Sequence, residues 1–96
     1  MKFYILQLKE GRNDYLFRDF EFAEKHGFDL QDYEVIYEDN IDDVGDGVLY
    51  TLDAIFTKFN IDRPEDFHGH SLSVSDIVQL DEGFYYCNPV GWKKLI

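Results

Sequence analysis

Two stretches in the first part of the chain have the pattern of β-strands, one apolar on both faces and one alternating between apolar and polar positions. Residues 3–8 are apolar on both of the faces that a strand presents, which predicts a strand inside a sheet. Residues 33–38 alternate apolar with mostly acidic positions, which predicts a half-buried strand. One face of that strand carries Tyr33, Val35 and Tyr37. Between these strands, a run that ends at Gly27 predicts a short helix over residues 19–26.

The clearest helical period lies just after the middle of the chain. Four apolar residues fall at positions i, i+3, i+4 and i+7: Leu52, Ile55, Phe56 and Phe59. They form one apolar stripe, which predicts a helix over residues 52–59. Thr51 is expected to cap its start, Tyr50 to act as a hydrophobic staple and Asn60 to end it in a left-handed conformation. The acid-rich run 39–47 before it is expected to be a loop.

The last third of the chain is predicted to be mostly extended. Residues 70–76 approach the sheet as an extended segment, with a kink expected at Ser75-Asp76. Strands are predicted over residues 77–80 and 84–87, joined by a tight turn. A last short strand is expected within residues 91–95.

These elements indicate an α+β fold without a regular βαβ rhythm. The expected architecture is a small mixed or antiparallel sheet of about four strands, with two short helices packed on one face. A chain of 96 residues is one domain, covering residues 1–96. Its content of 45% hydrophobic and 18% aromatic residues excludes low-complexity disorder.

Cys87 is the only cysteine in the sequence, so no disulfide forms within the chain. This favours a reducing compartment. The first nine residues become polar too soon for a signal peptide, and no run approaches the length of a transmembrane helix. A cytoplasmic protein with no membrane partner is therefore expected.

The residues that could carry chemistry do not match a catalytic or metal-binding pattern. His68 and His70 alternate as strand residues do, but a zinc site needs three or four nitrogen or sulfur ligands at suitable spacing. The run 39–46 lacks the ligand positions of an EF-hand loop. The serines within residues 71–75 lack a Gly-x-Ser-x-Gly nucleophile elbow. We expect a protein that is not an enzyme and holds no cofactor or metal.

Charge is the most informative feature of the composition. Twenty acidic residues against nine basic ones give a formal net charge of −11. From His26 to Thr57 there is no Lys or Arg, while nine carboxylates fall there. Such a surface repels nucleic acid and attracts the basic proteins that bind it, because complementary fields speed association. Direct nucleic-acid binding is therefore not expected.

The block from Phe59 to Val78 resembles the signature of the YodL-like domain family. It begins with Phe59-Asn60-Ile61-Asp62-Arg63-Pro64-Glu65-Asp66-Phe67. Residues 33–38 and 91–95 are similar to it as well, so the resemblance runs from Arg18 onward. It implies a context in Firmicutes, their phages and conjugative elements. It assigns no catalytic residues.

Two functional hypotheses follow. The first is a small non-enzymatic inhibitor from a phage or mobile element. It binds a host defence protein that handles nucleic acid, such as a CRISPR effector or a restriction enzyme, and the contact is an acidic face that mimics DNA. The partner-binding residues it predicts are Glu34, Tyr37, Glu38, Asp39, Asp42, Asp43, Asp46, Tyr50 and Asp53. The alternative is a protein–protein adaptor that uses residues 67–78, with the acidity serving only solubility.

Overall fold

The strands and the two α-helices follow one another along the chain in the order that the sequence predicts. A computed structural model of the chain describes residues 1–11, 14–41, 47–61, 64–67, 69–81 and 83–96. Its elements are β1 (Lys2–Leu8), α1 (Phe20–Lys25), a 3-10 turn (Leu30–Asp32), β2 (Tyr33–Asn40), α2 (Val48–Ile61), β3 (Ile77–Leu80), β4 (Gly83–Cys87) and β5 (Trp92–Lys94). The α+β class is confirmed.

The strands form one antiparallel sheet in the order β2-β1-β3-β4-β5. The strand expected inside the sheet, β1, lies between β2 and β3. The predicted terminal strand is present as β5, which makes the sheet five-stranded. β2 and β5 are its two edges, a placement that matters for the acidic residues below.

The two helices cover opposite faces of the sheet, so the prediction that both pack on one face was wrong. Neighbouring strand residues point to opposite faces, and they divide between two apolar clusters. Ile5, Val78 and Tyr85 belong to the cluster under α2. The next residue of β1, Leu6, belongs to the cluster under α1. Because both faces of the central strands are apolar, each face needs its own cover.

A β-bulge changes the face assignment along β2. Ile5 pairs with Tyr37 and Leu6 pairs with Val35, so Ile36 is an extra residue. The predicted shared face of Tyr33, Val35 and Tyr37 was therefore wrong. Tyr33 is buried on the α1 side, Tyr37 packs on the α2 side, and Val35 remains 53% exposed.

α2 is longer than its apolar stripe predicts. It begins at Val48 and includes Thr51, whose hydroxyl donates to Gly47 O at 3.2 Å, so Thr51 is not the N-cap. Tyr50 lies in the helix with an exposed side chain and is not a staple before it. Asn60 is helical too, and its side-chain amide donates to Phe56 O and to Leu72 O. That second bond ties the helix to the segment that precedes β3.

The approach to β3 follows the prediction closely. Ser75 has a φ of +85°, which confirms a kink there. Its amide donates to Cys87 O, and Cys87 N donates to Asp76 O, so the kinked segment is fixed to the end of β4. No helix among the described residues has the length and hydropathy needed to cross a bilayer.

Candidate functional site: an acidic edge strand and a buried polar cluster

The outermost strand, β2, carries three of the predicted contact residues. Glu34, Glu38 and Asp39 are all exposed on it, and we call these three carboxylates the β2 acidic edge. The Glu38 carboxylate lies 3.2 Å from Lys2 Nζ on the neighbouring strand. That hydrogen bond is the main reason why the pKa of Lys2 is raised. Both side chains are more than half exposed, so solvent screens the pair and it contributes little to stability.

Tyr37 lies on β2 and is half-buried against the core. Its ring packs edge-on against Phe59 and Phe67, with centroid distances of 5.3 and 5.8 Å. Its hydroxyl donates to Asp66 at 3.3 Å, and Asp39 lies 3.5 Å away. Partial burial and then these two carboxylates raise the pKa of Tyr37. The residue therefore brings Asp66 close to the β2 acidic edge.

Two other predicted contact residues, Tyr50 and Asp53, lie on α2 rather than on that edge. Asp53 lies on α2, where its Oδ1 accepts a hydrogen bond of 3.1 Å from Trp92 Nε1. Trp92 belongs to β5, which is the other edge of the sheet. Tyr50 lies one turn before Asp53 on the same helix. Three further predicted residues, Asp42, Asp43 and Asp46, lie outside the described residues.

The segment 67–78, on which the adaptor hypothesis depends, lies mostly in the interior. Its buried residues are Phe67, Leu72, Ser75, Asp76, Ile77 and Val78. Within the described part of this segment, only His70 falls in the exposed class. Most of these side chains form the core, and little of the segment remains for a partner to contact.

A buried polar cluster centred on Asp76 was not predicted from the sequence. The Asp76 side chain is fully buried, and its Oδ2 accepts hydrogen bonds from Ser73 N at 2.8 Å and Gln7 Nε2 at 3.1 Å. Gln7 uses its second amide hydrogen on His70 O at 2.9 Å. The cluster thus joins the central strand β1 to the segment before β3.

The other carboxylate oxygen, Asp76 Oδ1, is buried and has no hydrogen-bond partner among the described residues. His70 Nε2 lies 3.6 Å away, too far for a hydrogen bond. His70 Nδ1 lies 2.7 Å from Ser71 O and 3.2 Å from Gln7 Nε2. With the hydrogen assigned to Nδ1 for the contact with Ser71 O, a neutral ring turns the lone pair of Nε2 towards Asp76. Burial consequently raises the pKa of Asp76 to about 8, against the weaker opposing effect of its two hydrogen bonds.

Hydrogen bonds of Tyr33, Ser73 and Ser75 hold the backbone around Asp76 in place. Tyr33 donates its hydroxyl hydrogen to Ser75 O at 2.5 Å, and Ser75 Oγ accepts from Phe17 N at 3.0 Å. Ser73 Oγ donates to Ser71 O. Within the described structure no serine hydroxyl is hydrogen-bonded to His70, so these groups do not form a nucleophile–base pair.

Cys87 is buried at the end of β4. Burial, with the nearby charges of Asp76 and Asp53, raises the pKa of its thiol to about 12. A thiol in that state is a poor nucleophile and a poor metal ligand. No group of three or more His, Cys, Asp or Glu side chains converges on a point in the described ranges, and His68 lies outside them.

The fold and these sites define a small α+β domain with an acidic edge strand and a polar cluster in its core. A model of the YodL-like domain matches residues 2–96, and the chain belongs to that family. The match extends the resemblance seen from Arg18 onward to nearly the whole chain. No curated protein and no solved structure matches the chain.

Proposed function

We propose that this protein is a non-enzymatic inhibitor that occupies the basic nucleic-acid-binding groove of a host defence protein. The partner class is a CRISPR effector or a restriction enzyme, because these proteins must present Lys and Arg side chains to a phosphate backbone. The contact is made by the β2 acidic edge. The exposed position of Glu34, Glu38 and Asp39 on the outermost strand is the observation that carries the proposal.

The spacing of these carboxylates supports this role. A strand rises about 3.3 Å per residue, so Glu34 and Glu38 are separated by roughly 13 Å along β2. DNA places one phosphate about every 3.4 Å of axis on each strand. Glu34 and Glu38 therefore stand a few phosphate spacings apart along this edge. The bulge at Ile36 turns them to opposite faces of the sheet: Glu34 lies on the α2 side with Asp39 and Asp66, and Glu38 lies on the α1 side with Lys2.

The charge balance around the edge also supports it. Lys2 is the one basic side chain that forms an ion pair with β2 in the described structure. With a net charge of −11, the molecule attracts a basic groove from a distance, and association is expected to be fast at low salt.

A displacement experiment tests the proposal. Purified CRISPR effectors and restriction enzymes from Firmicutes are mixed with labelled target DNA, and the protein is titrated in. We expect it to release the DNA from at least one of them and to block cleavage. We also expect its inhibition to weaken steeply as salt is raised, because the contact is electrostatic.

The control is the same titration with a YodL-unrelated acidic protein of equal net charge. Equal displacement by that control would contradict the proposal, since charge alone would then explain the effect. Failure to displace DNA from any enzyme of the panel would contradict it as well.

A further inference from the structure

The outer face of α2 carries a second apolar stripe that the fold does not cover. The inner side chains Leu52, Ile55 and Phe59 are fully buried under the helix. On the outside, Tyr50 is 55% exposed and Ile61 is 81% exposed. Tyr50 and Ile61 are two of the eight large exposed apolar side chains of the described structure, and both lie on this outer face, whereas Val48 and Leu49 lie one turn before the buried Leu52. A helix that is apolar on two sides is typical of one that is covered on both.

The outer side chains follow the spacing of a coiled-coil seam. Tyr50, Ala54, Thr57 and Ile61 are separated by four, three and four residues. The two central residues are small, so a second helix can approach closely there. Asp53 and Lys58 flank the seam on its two sides. These six residues border a shallow, open depression on the outer face of the helix: Tyr50, Asp53, Ala54, Thr57, Lys58 and Ile61.

The charges on the flanks indicate which helix fits. Asp53 and Lys58 lie on opposite flanks and five residues apart. When two identical helices run parallel, the twofold axis exchanges the flanks, so Asp53 of one copy faces Lys58 of the second copy. In an antiparallel pair each flank faces its own equivalent, and Asp53 would meet Asp53 of the second copy. Lys58 makes no ion pair within the described part of the chain, so it is available for this contact.

We propose that the outer face of α2 is a self-association surface, on which a second copy of this chain packs with its α2 parallel to the first. Tyr50 and Ile61 form the ends of the seam, Ala54 and Thr57 form its centre, and two symmetric Asp53–Lys58 pairs set the register. The proposal is independent of the function proposed above. It assigns Tyr50 and Asp53 to contact between copies rather than to the host partner.

Two features make this dimer distinguishable from partner binding. A helix of 14 residues offers a short seam, so the dimer is expected to be weak and to form only when the protein concentration reaches roughly the upper micromolar range. Two copies that each carry a net charge of −11 repel one another, so added salt strengthens the dimer. Binding of the β2 acidic edge to a basic groove responds to salt in the opposite direction.

Cysteine cross-linking tests the parallel arrangement. In a parallel seam, position 54 of one copy lies opposite position 54 of the other, so Ala54→Cys is expected to form an intermolecular disulfide under mild oxidation. Glu24→Cys is the matched control, because Glu24 is exposed on α1, which covers the opposite face of the sheet from α2. Native Cys87 is buried in both variants. The seam should make cross-linking at position 54 at least about tenfold faster, and equal rates would overturn the proposal.

Sedimentation equilibrium tests the register independently. The wild-type mass should rise with concentration from 11.4 kDa towards twice that value. Lys58→Asp should suppress the rise, and the double variant Asp53→Lys with Lys58→Asp should restore it. A wild-type mass that stays monomeric would overturn the proposal. If Lys58→Asp leaves the dimer unchanged, the parallel register is overturned. In an antiparallel pair Lys58 would face Lys58 of the second copy, and the substitution would only replace a contact between two lysines with one between two aspartates.

Discussion

Replacing the buried Asp76 by Asn should remove a large pH dependence of stability. The substitution keeps a side-chain oxygen that accepts from Ser73 N and Gln7 Nε2, and it places an amide hydrogen where it can donate towards the lone pair of His70 Nε2. It removes the ionisable group. The shape of the cluster is nearly unchanged, so the difference between the two proteins isolates the titration of Asp76.

The sign follows from the two pKa values. In the native protein the pKa of Asp76 is raised to about 8, against 3.8 for a free side chain. Between these values the native state holds one more proton than the unfolded state. The free energy of unfolding of the wild type should therefore fall by about 1.4 kcal/mol for each pH unit as the pH rises through this window. For a domain of this size, that corresponds to roughly 5–10 °C in Tm per unit.

Urea unfolding from pH 4.5 to 8.5, followed by circular dichroism, measures the effect. The stability of Asp76→Asn relative to the wild type should increase steadily with pH. Glu24→Gln, at an exposed carboxylate on α1, is the control and should show a flat difference. Two results would refute the reasoning: a flat difference for Asp76→Asn, or a wild type that gains relative stability as the pH rises. The second would mean that the native fold stabilises the charged form of Asp76.

Three further predictions concern the core. Phe59→Ala should lower the free energy of unfolding, measured by urea unfolding at neutral pH, by about 3–5 kcal/mol. The reason is that the fully buried ring contacts the rings of Phe3, Tyr37 and Phe67. A loss below about 1 kcal/mol would contradict this packing. Gly69→Ala should cost about 1–3 kcal/mol in the same assay, since the added Cβ would overlap Ile36 Cδ1 and Gln7 Oε1; a neutral variant would show that this approach is not close. The Cys87 thiol should react with Ellman's reagent at pH 8 only after unfolding; fast reaction in the native state would contradict its burial.

Most of the strands could be predicted because the pattern of apolar side chains along them indicates which faces are buried. β1, β3 and β4 are apolar at consecutive positions, which is typical of strands covered on both faces. The bulge at Ile36 could not be predicted, since it depends on pairing with β1 rather than on the composition of β2. The inner stripe of α2 was found, but the helix begins one turn before it, at Val48, in residues that the stripe does not include.

The candidate sites were predictable only where they are local in sequence. The exposure of Glu34 and Glu38 was expected from their charge, but the strict alternation used to predict the faces of β2 fails at the bulge, where Val35 is exposed beside Glu34. The separation of Asp53 from them did not, because it depends on the order of strands in the sheet. The polar cluster was missed because Gln7 is 69 positions from Asp76, and only the folded sheet brings the two side chains together.

Charge reversal on β2 tests the central claim most directly. The variant Glu34→Lys, Glu38→Lys and Asp39→Lys is compared with a matched variant that reverses three exposed acids elsewhere, Glu21, Glu24 and Glu65. Both change the net charge by the same amount, so any non-specific electrostatic effect is equal. The measurement is the concentration needed to displace DNA from the defence enzyme that the wild type inhibits. We predict that the β2 variant loses inhibition and that the matched variant keeps most of it; equal loss in both would contradict a contact at this edge.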